Sequence, residues 1–282
     1  MSAELGGKFD SFGVQVFGAM RRGDQGLHRR IAGVIIDDNN GDGVAASGSG
    51  SGSMVVDGAR RAVRLTPEMI VEAAVRIAAR GRSDGLTGRA LGEELGVDRS
   101  AVWRHFADKD ALLRAVGDRL LTMAYDRVPD ALDPKSRMER LAHAVVDVFT
   151  AHPYVGAAVA SRTTRGPGEF AVVEMMLTAL GDLGLEVPDR VRYQRMLADS
   201  VLAYAGFRAG YALLPKKVRD ADERAWAREY AAADPREYPA IAALAPRLAE
   251  VGPDTVLDTL IEAFWAAVEA RRATSDRSTQ ND

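Results

Sequence analysis

From Leu65 onward the apolar positions recur at steps of three and four, and no stretch holds the strict alternation of a half-buried strand. That pattern predicts an all-α fold. Thr66-Pro67-Glu68 supplies an N-cap, a proline at the first helical position and an early acid, after which Ile70, Ala74 and Ile77 keep one face and Gly81 ends the helix. Thr87 caps a second helix that turns Ala90, Leu91 and Leu95 inward. Gly96 gives a tight turn, Asp98 caps a short third helix with Val102 and Phe106 inward, and Asp108 starts a fourth through Leu112, Leu113, Val116 and Leu120. Further helices are predicted over about 136–151, 168–183, 189–214, 219–232 and 253–272. Between them lie the breaks at Pro153, Gly166-Pro167-Gly168, Pro188, Pro215, Pro235, Pro239 and Gly252-Pro253.

The pattern fails before residue 65. Residues 47–53 are a perfect Gly/Ser alternation with nothing to pack, followed at once by Met54, which reads as an engineered flexible linker. Residues 1–46 are then a fused segment, either an inert tag or, as the preferred reading, a peptide partner tethered to its receptor. So short a chain could hardly hold a core alone. Asp38-Asn39-Asn40-Gly41-Asp42-Gly43 matches the first half of a calcium loop, but its twelfth position is Ser49 rather than a bidentate Glu, so a solvated acidic turn is the better reading. The division expected is the fused segment at 1–46, the linker at 47–53, a basic arm at 54–64, a DNA-binding domain at 65–112 and a helical body at 113–282.

Composition removes several chemistries. The 282 residues include no Cys and only four His, so thiolate zinc, iron–sulfur and disulfide chemistry are excluded. With no glycine-rich phosphate loop and no paired ligand spacing, neither a metal nor another cofactor is expected, and an enzyme is the weakest reading. No apolar run approaches the roughly 20 residues of a membrane helix, which points to a cytoplasmic protein without a membrane partner. The net charge of -3 argues against a nucleic-acid partner until it is divided along the chain. Residues 54–128 carry a balance of +2 and residues 129–282 one of -4.

A helix, a glycine turn and a second short helix over residues 87–106 is the arrangement that sets a recognition helix in the DNA major groove. Thr87, Ala90, Gly96-Val97, Trp103-Arg104-His105-Phe106, Lys109 and Leu112-Leu113 together resemble the DNA-binding module of the TetR family of transcriptional repressors. Two positions depart from the family pattern: Trp103 stands where Tyr is usual, and Gly92 where Ala is usual. Gly92 should loosen its helix by up to about 1 kcal/mol. The resemblance, with the chemistry of the side chains, implies that Thr87, Ser100, Trp103, His105 and Lys109 contact phosphate. Arg99 and Arg104 would then reach base edges, where an Arg binds guanine bidentately. Arg60, Arg61 and Arg64 could extend this as an arm.

The same resemblance implies an N-terminal three-helix helix-turn-helix domain followed by a ligand-binding and dimerisation domain. Tyr193, Leu197, Ser200, Tyr204, Phe207, Tyr211 and Leu214 form a stripe at helical spacing, and Leu257, Leu260, Ile261, Phe264, Trp265 and Val268 form another. Phe207, Tyr211, Leu257, Leu260, Ile261, Phe264 and Trp265 are therefore expected at a homodimer interface, the alternative being that both stripes face the chain's own core. An effector pocket is expected among Phe149, His152, Tyr154, Met175 and Met176, completed by Tyr193, Met196, Tyr204 and Arg208. The function that follows is a repressor binding palindromic double-stranded operator DNA as a homodimer and released by a small molecule. The alternative is control by peptide binding, with residues 1–46 as the tethered inducer or antirepressor.

Overall fold

The computed structural model describes residues 64–80 and 86–279, without the side chains of 275–279, and these residues form eleven helices and no strand. The segment expected to be fused (residues 1–46), the expected linker, the calcium-loop-like stretch, Arg60, Arg61 and Gly81 lie outside the described residues.

Four helices come first: α1 (Pro67–Ala78), α2 (Gly88–Leu95), α3 (Arg99–Val102) and α4 (Lys109–Tyr125). Each starts where a short polar side chain can accept an otherwise unpaired amide. Thr66 Oγ1 accepts from Met69 N at 3.3 Å, Thr87 Oγ1 from Ala90 N at 3.1 Å, Asp98 from Ser100 N at 2.8 Å and Asp108 from Ala111 N at 2.7 Å. Gly96 ends α2 at φ 66°, in the left-handed region that glycine adopts at least cost. Ile70, Ala74, Leu91, Val102, Leu112 and Val116 are fully buried, in an apolar cluster that continues into the rest of the chain. Gly92 has a different role from the one its low helix propensity suggests. A Cβ there would stand 2.7 Å from Val97 O, and Val97 N donates to Gly92 O at 2.9 Å, so the missing side chain lets the turn fold back onto α2.

The body follows as α5 (Pro134–Ala151), α6 (Pro153–Val159), α7 (Pro167–Asp182), α8 (Val187–Leu213), α9 (Lys216–Arg228), α10 (Pro239–Glu250) and α11 (Pro253–Thr279). Helices α5, α6 and α7 pack on α8, and α4 lies along α5, α6 and α7, running unbroken past residue 112. Helix α11 returns along α8, where Tyr193 meets Phe264 edge-on at 6.0 Å between ring centres and donates its hydroxyl to Ala267 O. Two helices, α6 and α10, depart from the expectation set by the apolar pattern. Pro153 and Pro239 read as breaks in the sequence, but each sits in the first turn, where a proline loses no intrahelical bond. Helix α9 has no buried residue and α10 only Ala245.

One junction ties α4 to the body. Asp118, buried in the middle of α4, accepts hydrogen bonds from Gly168 N (3.0 Å), Glu169 N (2.9 Å) and the Thr164 hydroxyl (2.9 Å). Helix α7 has no capping side chain of its own at Gly166, so a carboxylate from another helix performs that task. A Cβ on Gly168 would come within 2.3 Å of Asp118 O, and one on Gly166 within 2.3 Å of the Asp118 carboxyl carbon. Arg162 adds a charged link to Asp110 at the start of α4. The Arg162 guanidinium holds the Asp110 carboxyl below its usual value, since its hydrogen bond favours the ionised form more than partial burial opposes it.

Candidate nucleic-acid interface

The exposed edge of the first four helices is built around the N-terminus of α2. Thr87 is exposed there as the cap, and its neighbour Gly88 lies beneath the indole of Trp103. A Cβ on Gly88 would stand 2.5 Å from Trp103 Nε1, so only glycine lets the indole N–H settle beside the first amides of α2. These donors share one location: the indole N–H, the threonine hydroxyl and the amides of the first turn, at the positive end of an eight-residue helix. The Trp-for-Tyr departure thus comes with a local accommodation, and Gly88 is a site residue that motif reading missed. Its signal was a glycine at a position where most residues make a better helix, directly after a capping threonine.

The helix α3 ends at Val102, and a turn carries the chain through Trp103, Arg104 and His105. Arg99, Ser100, Arg104 and His105 are all exposed, and neither Arg99 nor Arg104 forms an ion pair among the described residues. Ser100, through its hydroxyl and its amide, holds the Asp98 carboxyl below its usual value, which keeps the cap of α3 ionised. His105 stands near Glu68 in the first turn of α1. Lys109 differs from the other expected phosphate contacts. It is half-buried, with its ammonium 5.6 Å from the centre of the Tyr154 ring, an attraction that draws the side chain toward the body.

Replacing Gly88 with alanine should displace the indole while leaving the fold intact, because Trp103 can swing into solvent. Expected are an unchanged melting temperature, a fall of about tenfold in DNA affinity and an unchanged salt slope, because the indole N–H is neutral and releases no counterion. Gly88→Ala added to Trp103→Ala should then cost nothing further. An additive double variant would contradict the coupling.

The side chains expected at an effector pocket separate into two groups. Phe149, Tyr154, Met175 and Met176 are core residues, as is His152, whose Nδ1 lies 2.8 Å from Val148 O. Tyr193 packs against α11, and Met196 is exposed. The apolar members turn inward because α5 and α7 have helices on more than one side. Tyr204 and Arg208, by contrast, line an opening. It is a cleft of about 320 Å³ between α5, α8 and the start of α11, walled also by Val146, Asp147, Thr150, Ala151, Pro253, Asp254 and Leu257.

The expected dimer stripe divides likewise. Leu257, Ile261, Phe264 and Trp265 are at most 6% exposed and belong to the chain's own core, so they have little surface to offer a second copy. Leu260 and Tyr211 are half-buried, the latter donating to Arg219 O. Phe207 is 66% exposed and remains available.

Among the described residues no group of His, Asp and Glu is placed to hold a metal ion, and no helix is long and apolar enough to cross a membrane.

The chain's similarities to known proteins agree with this layout. A model described as bacterial regulatory proteins, tetR family, matches residues 70–116, and one described as tetracyclin repressor-like, C-terminal domain, matches residues 130–258. The HTH-type transcriptional repressor DrrR1 of Streptomyces coeruleorubidus is 30% identical over 169 residues, 55% of this chain and 62% of that protein. The chain thus spans less than two thirds of that relative's length. The tetracycline repressor protein class A from transposon 1721 of Escherichia coli is 29% identical over 213 residues, 74% of this chain and 93% of the repressor. The solved structure of SCO7222, a TetR from Streptomyces coelicolor, aligns with a TM-score of 0.60 at 25% identity, covering 73% of this chain and 99% of that one.

Proposed function

The chain belongs to the TetR family of bacterial transcriptional regulators, and from that premise we propose that it is a repressor that binds a palindromic operator as a homodimer and is released by a small molecule held in its body. The observation that carries this reading is the surface described above. Two arginines without ion-pair partners among the described residues flank α3, beside a donor cluster at the start of α2 that suits phosphate. A single recognition element of this size reads too few bases for useful specificity. Two copies about 34 Å apart read successive major grooves and require a site with matching symmetry. The exposed Phe207 on α8 gives a second copy an apolar anchor, and the name of the tetracycline repressor, a small molecule's name, supports release by a small molecule.

Selection from a randomised duplex pool tests the reading. The enriched sequence should be an inverted repeat with half-sites about one helical turn apart. Affinity for it should fall on the order of a thousandfold between 50 and 200 mM salt, because releasing the same counterions into a saltier solution gains less free energy. Enrichment of no symmetrical site, or affinity indifferent to salt, would overturn the proposal.

A further inference from the structure

The cleft between α5, α8 and α11 carries charges that are not spent on one another. Arg208 reaches it from α8, Asp147 from α5 and Asp254 from the first turn of α11, yet none of the three forms an ion pair or side-chain hydrogen bond among the described residues. Thr150, one turn beyond Asp147, has a buried hydroxyl without a partner. Such a group is ordinarily satisfied, since leaving it unpaired costs the desolvation of the oxygen. Between these polar groups the wall is apolar, from Val146, Ala151 and the buried Leu257. The volume of about 320 Å³ lies at the small end of ligand pockets.

We propose that this cleft is the effector site and that its ligand is a small amphoteric molecule, with an anionic group for Arg208, a protonated amine for Asp147 and Asp254, and an apolar body between them. The inference rests on the ligand-responsive reading above and names the place and chemistry of the ligand. A purely anionic ligand meets two carboxylates in the same opening, and a purely cationic one meets the guanidinium. A molecule carrying both charges pairs all three side chains and is the only one of the three types that faces no unrelieved repulsion.

The test uses the full chain and three probes sharing one ring: 4-(aminomethyl)benzoate, benzylamine and benzoate. Titration calorimetry should show the zwitterion binding about tenfold more tightly than either single-charge probe, and Arg208→Ala or Asp254→Asn should each remove about that factor. The unliganded melting temperature of both variants should fall by no more than a few degrees, because neither side chain has an ion-pair partner to lose. Equal binding of the three probes, zwitterion binding that ignores Arg208→Ala, or no binding at millimolar probe would each overturn the proposal. These titrations contain no DNA, so their failure leaves the operator reading standing, and failure to select an operator leaves a probe result standing.

Discussion

Replacing Asp118 with alanine is expected to lower the melting temperature by about 6–12 °C, the equivalent of about 3 kcal/mol in a body of this size. The substitution removes little apolar packing. It strands a buried Gly168 amide and the Glu169 amide, which now donate to one carboxylate, while the Thr164 hydroxyl keeps its second acceptor on Glu169 at 3.1 Å. Unpaired donors at a helix N-terminus are costly because α7 has no cap of its own to substitute. Asparagine should give an intermediate loss, since it keeps one acceptor but turns an amide NH2 toward backbone N–H groups. Thermal unfolding followed by circular dichroism reads the effect, and a shift under about 2 °C for the alanine variant would show that water replaces the carboxylate.

The largest expected effect on DNA belongs to the arginines of α3 and its following turn. Changing both Arg99 and Arg104 to alanine should reduce affinity for the selected operator by about a hundredfold or more, at about 1–3 kcal/mol for each arginine that no longer pairs with a base edge. Affinity for unrelated duplex should fall much less, so the ratio between the two collapses. Melting temperature should hold, because both side chains are exposed and lack ion-pair partners among the described residues. Competition gel shifts with operator and scrambled duplex measure that ratio. If it survives the double change, base reading lies elsewhere on the surface.

The helix-turn-helix was legible because each of its signals is local. Thr87, Asp98 and Asp108 cap within three residues, Gly96 takes the left-handed turn, and Leu91 and Val102 face inward at helical spacing. Spacing gave no way to tell which apolar stripe would be core, pocket or interface, because each requires the same periodicity. Phe264 and Trp265 looked like interface and are core, whereas Phe207 in a matching stripe is exposed. The cleft escaped for a related reason: Asp147, Thr150 and Asp254 come from helices about a hundred residues apart, and nothing local marks them. The prolines misled in a specific way. A proline marks a boundary whether it follows one helix or opens the next, and at Pro153 and Pro239 it does the latter.

The carboxylate junction in the middle of α4 also sets a length. From Asp118 back to Lys109 is nine residues of helix, an arm of about 13 Å at 1.5 Å per residue, with the Arg162 link to Asp110 near its end and the turn from the recognition helix joining it there. With the junction as fulcrum, a rotation of about 5° moves that end by about 1 Å, enough to stretch a 2.9 Å hydrogen bond to a base past its useful range. Movements too small to repack the body are thus large when measured at the groove.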